Sequence, residues 1–209
     1  MKQSERNRNE TERRILDAVT GVTLESGIKG LGVNRVAEKA GCSKMLIYRY
    51  FCSFDGLLER WAEENNYWIK TAGDDVLRQL AEMSPGQKAS AAAEAFRKQI
   101  EDTRKNPVMR ELIRWQLSEE NVVCSRFMAL AEERGLALTE AMEPSDVRGI
   151  DVKAVTALIT AGINYLALQA DFAPVYNGVS LDTDEGWMRI GDAAESLVRI
   201  IFNLEEKPI

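Results

Sequence analysis

Apolar residues recur at spacings of three and four along this 209-residue chain, and no stretch sustains period-two alternation between turn residues. That pattern predicts an all-α fold. The first helix opens with Asn9 and Glu12 in capping-box positions, carries Ile15, Ala18, Val19 and Val22 on one face and stops at Gly27. A second runs from Val33 to Ala40 and ends at Gly41 in the left-handed conformation, after which Ser43 caps a third, Lys44 to Phe51.

Beyond this head, Ser53 starts a long helix to about Met83, kinked around Gly73. Ser84-Pro85 opens the next, which ends before Pro107. Pro107 starts a helix to about Glu120, Val122 to Met142 form another, broken or bent near Gly135, and 144–149 is a loop. Two helices close the chain, Asp151 to Phe172 and Glu185 to Leu204, joined by a linker containing Pro and Gly.

The formal charge of −6 hides a division. Residues 1–50 carry ten Lys/Arg against six Asp/Glu, and residues 51–209 carry seventeen against twenty-seven. A basic head therefore adjoins an acidic body, and a charge sum over the whole chain does not exclude nucleic acid. The first twelve residues are polar and lack the apolar core of a secretory signal, so a cytoplasmic location is expected. The longest uncharged run, Ala154 to Ala170, includes Thr156, Thr160, Asn164 and Gln169 and reads as a buried helix, not a membrane span.

The chain has no histidine, which removes Ser-His-Asp and Cys-His nucleophiles, and its three cysteines (Cys42, Cys52, Cys124) lack metal-ligand spacing. Asp74-Asp75 and Glu132-Glu133 are neighbours that point apart on a helix and read as solvated surface. No enzymatic activity, metal or cofactor is expected. Cys42 reads as core packing, with a redox role for Cys42 or Cys52 as the minor alternative.

Helices two and three, joined by Ala40-Gly41-Cys42-Ser43, have the lengths and the turn glycine of a helix-turn-helix. The run from Ile15 to Leu58 resembles the N-terminal domain of the tetracycline-repressor (TetR) family: a leading ILDA, the Gly27 turn, VNRVAEKAGCSK, then LIYRYF before a Ser-acidic-Leu helix start. AGCSKMLIYRYF, residues 40–51, is the most specific piece. The resemblance implies a DNA-binding domain over 1–52 and a ligand-binding and dimerisation domain over 53–209. The whole would be a ligand-responsive transcriptional regulator, a repressor released from operator DNA by a small apolar or aromatic effector. The competing reading is a helical ligand- or partner-binding adaptor with weak or lost DNA affinity.

Carried over residue by residue, the resemblance puts Lys44 and Tyr50 on phosphates, Tyr48 on a base edge or a phosphate, and Met45 and Leu46 in the major groove. Asn34 or Arg35 adds contact to a base or a phosphate. Neither Met45 nor Leu46 can make a bidentate hydrogen bond, so thymine methyls in the half-sites are the expected target. Two departures stand out: Gly32 occupies the place of a capping Thr or Ser, and Phe54 that of a lysine. Lys2, Arg6 and Arg8, on an arm read as flexible, are candidates to restore the lost charge.

The expected effector contacts are Trp61, Trp68, Phe96, Trp115, Phe127 and Tyr165, with Arg114, Thr160 and Asn164 as polar partners, because a buried polar atom must be paired by protein, water or ligand. The expected homodimer interface uses Val155, Ile159, Gly162 and Leu166 on one closing helix and Ile190, Ala194, Leu197 and Ile201 on the other, which form a four-helix interface in the resembling family. The partners expected are thus double-stranded operator DNA, a small-molecule effector and a second copy, with no membrane.

Overall fold

The computed structural model describes residues 2–65, 73–118, 122–142 and 149–202, with ten α-helices and one two-stranded hairpin among them. In chain order they are α1 (Lys2–Ser26), α2 (Val33–Lys39), α3 (Lys44–Phe51), α4 (Phe54–Asn65), α5 (Asp74–Glu82), α6 (Pro85–Lys105), α7 (Pro107–Ser118), α8 (Val122–Met142), α9 (Val152–Gln169), β1 (Val175–Tyr176), β2 (Val179–Ser180) and α10 (Asp184–Ile201). The fold is all-α, as the periodicity predicts. Contacts gather the chain into two compact units, Met1–Asn66 with Pro107–Leu130 and Tyr67–Asn106 with Ala131–Ile209. This partition differs from the motif boundary after residue 52, because α4 buries Leu57, Leu58, Trp61 and Ala62 within the first unit.

In the first unit, α1 buries Ile15, Leu16, Ala18, Val19 and Val22, α2 buries Val36 and Ala37, and α3 buries Ile47 and Phe51. Each Val, Leu, Ile or Phe side chain among them stabilises by about 1.5–3 kcal/mol when fully buried. From α7 come Val108, Met109, Leu112, Ile113 and Trp115. Trp61 is fully enclosed, and its indole N–H donates to Thr20 Oγ1 at 2.9 Å. Helix α1 does not begin at Asn9. It runs from Lys2, because Lys, Gln, Glu and Arg dominate residues 2–8 without Pro or Gly, and good helix formers carry the helix past an internal capping signal.

In the second unit, the capping box of Ser84 and Gln87 opens α6, which packs between α9 and α10. The core holds Phe96, Ile100, Val152, Ile163, Ala167, Trp187, Ala194, Val198 and Ile201. Arg97 ties α6 to α10 through Asp192 at 2.7 Å and Glu195 at 2.8 Å, and its hydrogen bond, with one from Arg199, holds the Glu195 carboxyl below its ordinary range.

Three sequence expectations change here. The chain is not one kinked helix to Met83: Gly73 is extended (φ −70, ψ 154) and α5 starts afresh after it. Helix α8 runs unbroken through Gly135, since one glycine costs a helix only about 1 kcal/mol. The linker holds a hairpin whose tip residues, Asn177 (φ 52) and Gly178 (φ 76), have the positive φ that a two-residue turn requires.

Helix α9 is the one helix among the described residues long and apolar enough to cross a membrane, on length and composition alone. Within one chain only its Val152, Ile163 and Ala167 are buried, and Leu158 is 74% exposed. One chain covers one side of it. The other side, with Ala154, Ala157, Leu158, Ala161 and Tyr165, stays exposed.

Candidate nucleic-acid interface and effector site

The turn between α2 and α3 follows from local chemistry. Gly41 has φ 60, and the Ser43 hydroxyl accepts from the Leu46 N–H at 3.3 Å, closing the first turn of α3. Buried Ile47 and Phe51 fix the inner face of α3, so its other positions turn outward. Lys44, Met45 (68% exposed), Tyr48 and Arg49 are exposed, and Leu46 is half-buried. On α2, Asn34 and Arg35 are exposed, and an Arg35 guanidinium N–H donates to the Gly30 carbonyl at 3.1 Å. Gly32 caps α2 without a side-chain hydrogen bond.

The exit from α3 is tight. Cys52 takes φ 66 and ψ −42, and the Ser53 N–H donates to the Phe51 carbonyl at 2.8 Å, a three-residue turn that is rare and strained for a side-chain-bearing residue. Gly56 belongs to the same device, since a Cβ there would lie 2.3 Å from the Phe51 carbonyl oxygen. Gly56→Ala must displace that carbonyl, and is expected to lower stability by about 1–3 kcal/mol, the range for overpacking. A urea midpoint equal to wild type would contradict the close approach. Burial pushes the Cys42 thiol up against the pull of the Arg14 charge, so it stays protonated near neutrality and suits packing.

Tyr50 is half-buried beside Phe51, ring centroids 6.4 Å apart. Over its ring lie two guanidiniums, Arg8 at 5.6 Å and Arg49 at 5.8 Å. The sequence reading passed over Arg49, although it is a cation on the exposed side of a helix already read as the recognition helix.

The proposed effector contacts fall in both units. In the first, Trp61 and Trp115 are buried, and Arg114 pairs with Glu111. In the second, Phe96 is in the core, and the side-chain amide of Gln99 on α6 donates to Asn164 Oδ1 at 3.1 Å and to the Thr160 carbonyl at 3.5 Å on α9. Because the Thr160 carbonyl can only accept, the amide orientation is set. Gln99 Oε1 then lies buried with no hydrogen-bond partner among the described residues. Tyr165 does not join this cluster; it is 52% exposed and meets Tyr176 edge-on at 5.6 Å, on the opposite side of α9 from Ile163 and Ala167. Trp68 and the Phe127 side chain lie outside the described residues. Gln99 was missed by the sequence reading; its signal is a lone amide between Phe96, Ile100 and Thr103. An open cleft of about 280 Å³ lies elsewhere on α6 and α10, but its cations Arg97, Arg104 and Lys105 pair with Asp192 and Glu195, with Asp184 and with Glu101.

Of the expected dimer contacts, Ala194 and Ile201 are only 5% and 6% exposed inside the chain's own core, and Val155, Ile159, Leu166 and Ile190 are half-buried against it. The stripe of α10 containing Trp187, Ala194 and Ile201 is taken by packing within the unit. Leu197 is exposed, and Gly162 has open space around it. The exposed apolar positions are one step round each helix, at Leu158, Ala161 and Tyr165 on α9 and Met188, Leu197 and Ile200 on α10.

Residues 15–60 match the family model for bacterial regulatory proteins of the tetR family. No curated protein matches the chain by sequence. Among solved structures it is similar to the fatty acid degradation regulator FadR from Bacillus halodurans, with 14% identity, a TM-score of 0.63 and cover of 93% of this chain and 99% of that one. FadR from Bacillus subtilis, in complex with stearoyl-CoA, is 16% identical at a TM-score of 0.62, with 89% of this chain and 96% of that one covered. FadR from Thermus thermophilus, a TetR-family transcriptional repressor in complex with lauroyl-CoA, is 14% identical at a TM-score of 0.58, with 95% and 98% covered. At such identities the likeness is one of fold.

Proposed function

We propose, from the match of residues 15–60 to the family model for bacterial regulatory proteins of the tetR family, that the chain is a non-enzymatic, ligand-responsive transcriptional repressor. It acts in the cytoplasm as a homodimer that leaves operator DNA when a small apolar effector binds the helical body. The observation that carries the DNA half is α3, capped by Ser43 and anchored by Ile47 and Phe51, with Lys44, Met45, Tyr48 and Arg49 turned outward. The effector half is supported by the Gln99, Asn164 and Thr160 group with its unpaired buried oxygen beside Phe96 and Ile100. Saturated acyl-CoA thioesters are the first effectors to try, since two proteins of this fold are complexes with them.

Binding to DNA from upstream of the gene tests the first half and separates it from the adaptor reading, which draws on Gly32 and Phe54 offering no donor side chain at the starts of α2 and α4. Tyr48→Ala is expected to weaken specific binding by about 1–3 kcal/mol, while Lys44→Ala weakens all sequences alike and makes the salt slope shallower by roughly one. Equal losses on specific and random duplexes for both variants would refute that division. For the second half, a compound that raises the melting temperature must also lower operator affinity; stabilisation with unchanged DNA binding would break the link between them.

A further inference from the structure

Because α1 is helical from Lys2, the direction of residue 8 is set by the helix. Positions 8, 15 and 22 are seven apart and share one stripe, and Ile15 and Val22 on that stripe are buried in the head. Arg8 is therefore aimed at the head, and its guanidinium reaches the Tyr50 ring that Arg49 also covers.

Four other cations of this unit are matched with acids: Arg13 with Asp17, Lys39 with Glu25, Arg60 with Glu64 and Arg126 with Glu59. Among the described residues no carboxylate pairs with Arg8 or Arg49, and the Tyr50 hydroxyl has no hydrogen bond. Two like charges gathered at one ring repel each other, and an anion between them removes the cost. A guanidinium presents its N–H donors in a planar fork that suits phosphate oxygens.

We propose that Arg8, Arg49 and the Tyr50 hydroxyl form a backbone-phosphate anchor for duplex DNA at the C-terminal end of the recognition helix, with Tyr50 as the platform that holds the two guanidiniums. The inference rests on the DNA-binding reading above. It gives the extended start of α1 a function and supplies contacts where Gly32 and Phe54 supply none. Phosphate contacts carry no sequence information, so the anchor acts on every duplex alike.

The test compares wild type, Arg8→Gln, Arg49→Gln and the double variant by fluorescence anisotropy on upstream and random duplexes, over roughly 50–200 mM salt. Each single substitution should make the logarithmic salt slope shallower by about 0.9 and weaken binding by roughly tenfold near 0.1 M salt, with about twice the change in slope for the double variant. The loss should be the same on both duplexes, with unchanged melting temperatures. Wild-type slopes in both single variants, whether or not the melting temperature falls, would overturn the anchor and leave the DNA reading standing. Wild-type protein that binds neither duplex at the lowest salt would overturn the DNA reading, and the anchor with it.

Discussion

Trp61→Ala is expected to cost about 3–5 kcal/mol of stability, the usual loss for truncating a buried aromatic. Small domains hold only about 5–15 kcal/mol in total, so the variant should be near the limit of folding. Two effects add. The enclosed indole leaves a cavity on the inner face of α4, where Leu57, Leu58 and Ala62 also lie, and the Thr20 hydroxyl loses its donor. Trp61→Phe separates them: it keeps most of the volume, removes the N–H and should cost about 1–2 kcal/mol. Urea denaturation of both variants gives the values. The same experiment weighs Trp61 as an effector contact. A loss under about 1 kcal/mol, together with loss of stabilisation by every acyl-CoA tested, would make it a pocket wall and not a core residue.

How much was legible in the sequence depended on the distance over which each feature is determined. Helix α3 has the predicted limits, Lys44 to Phe51, because its cap, its turn and its inner face are set by residues within ten positions of each other. The start of α1 was misplaced because a local capping pattern at Asn9 and Glu12 competes with good helix formers upstream, and propensity prevails over a cap with no helix break before it. The hairpin had a signal, Asn177-Gly178, but strands of two residues carry no periodicity. Gln99 was invisible for another reason. Its partners Thr160 and Asn164 are 61 and 65 positions away, and an amide within α6 reads as surface until α9 is laid against it.

Helix α10 makes the same point about faces. Its apolar positions were read as one stripe kept for a second chain, yet two are in use: Trp187, Ala194, Val198 and Ile201 are buried within the unit, while Met188, Leu197 and Ile200 face out. Periodicity identifies apolar faces without saying which neighbour covers each.

Ile200→Glu and Leu158→Glu are accordingly expected to turn the proposed dimer into a folded monomer. Leu158, Tyr165, Met188, Leu197 and Ile200 are between 43% and 74% exposed on α9 and α10, an amount of large apolar surface that soluble chains usually cover with a partner. A two-fold interface presents each substitution twice, and an unpaired charge buried in an interface costs about 3–5 kcal/mol, so a single variant should lose about 6–10 kcal/mol of association. At 1.4 kcal/mol per factor of ten, the dimer dissociation constant rises by more than about ten-thousandfold. Operator affinity should fall with it, because a half-site reader gains its affinity from two heads bound together. The buried stripe provides the contrast. Ala194→Glu and Ile201→Glu place the charge in the chain's own core and should unfold the second unit, so the helical circular dichroism falls by that unit's share, whereas Ile200→Glu and Leu158→Glu keep the helical spectrum of wild type. Sedimentation equilibrium decides the matter: an Ile200→Glu, Leu158→Glu double variant that remains dimeric at micromolar concentration would show that this exposed face is not the dimer interface.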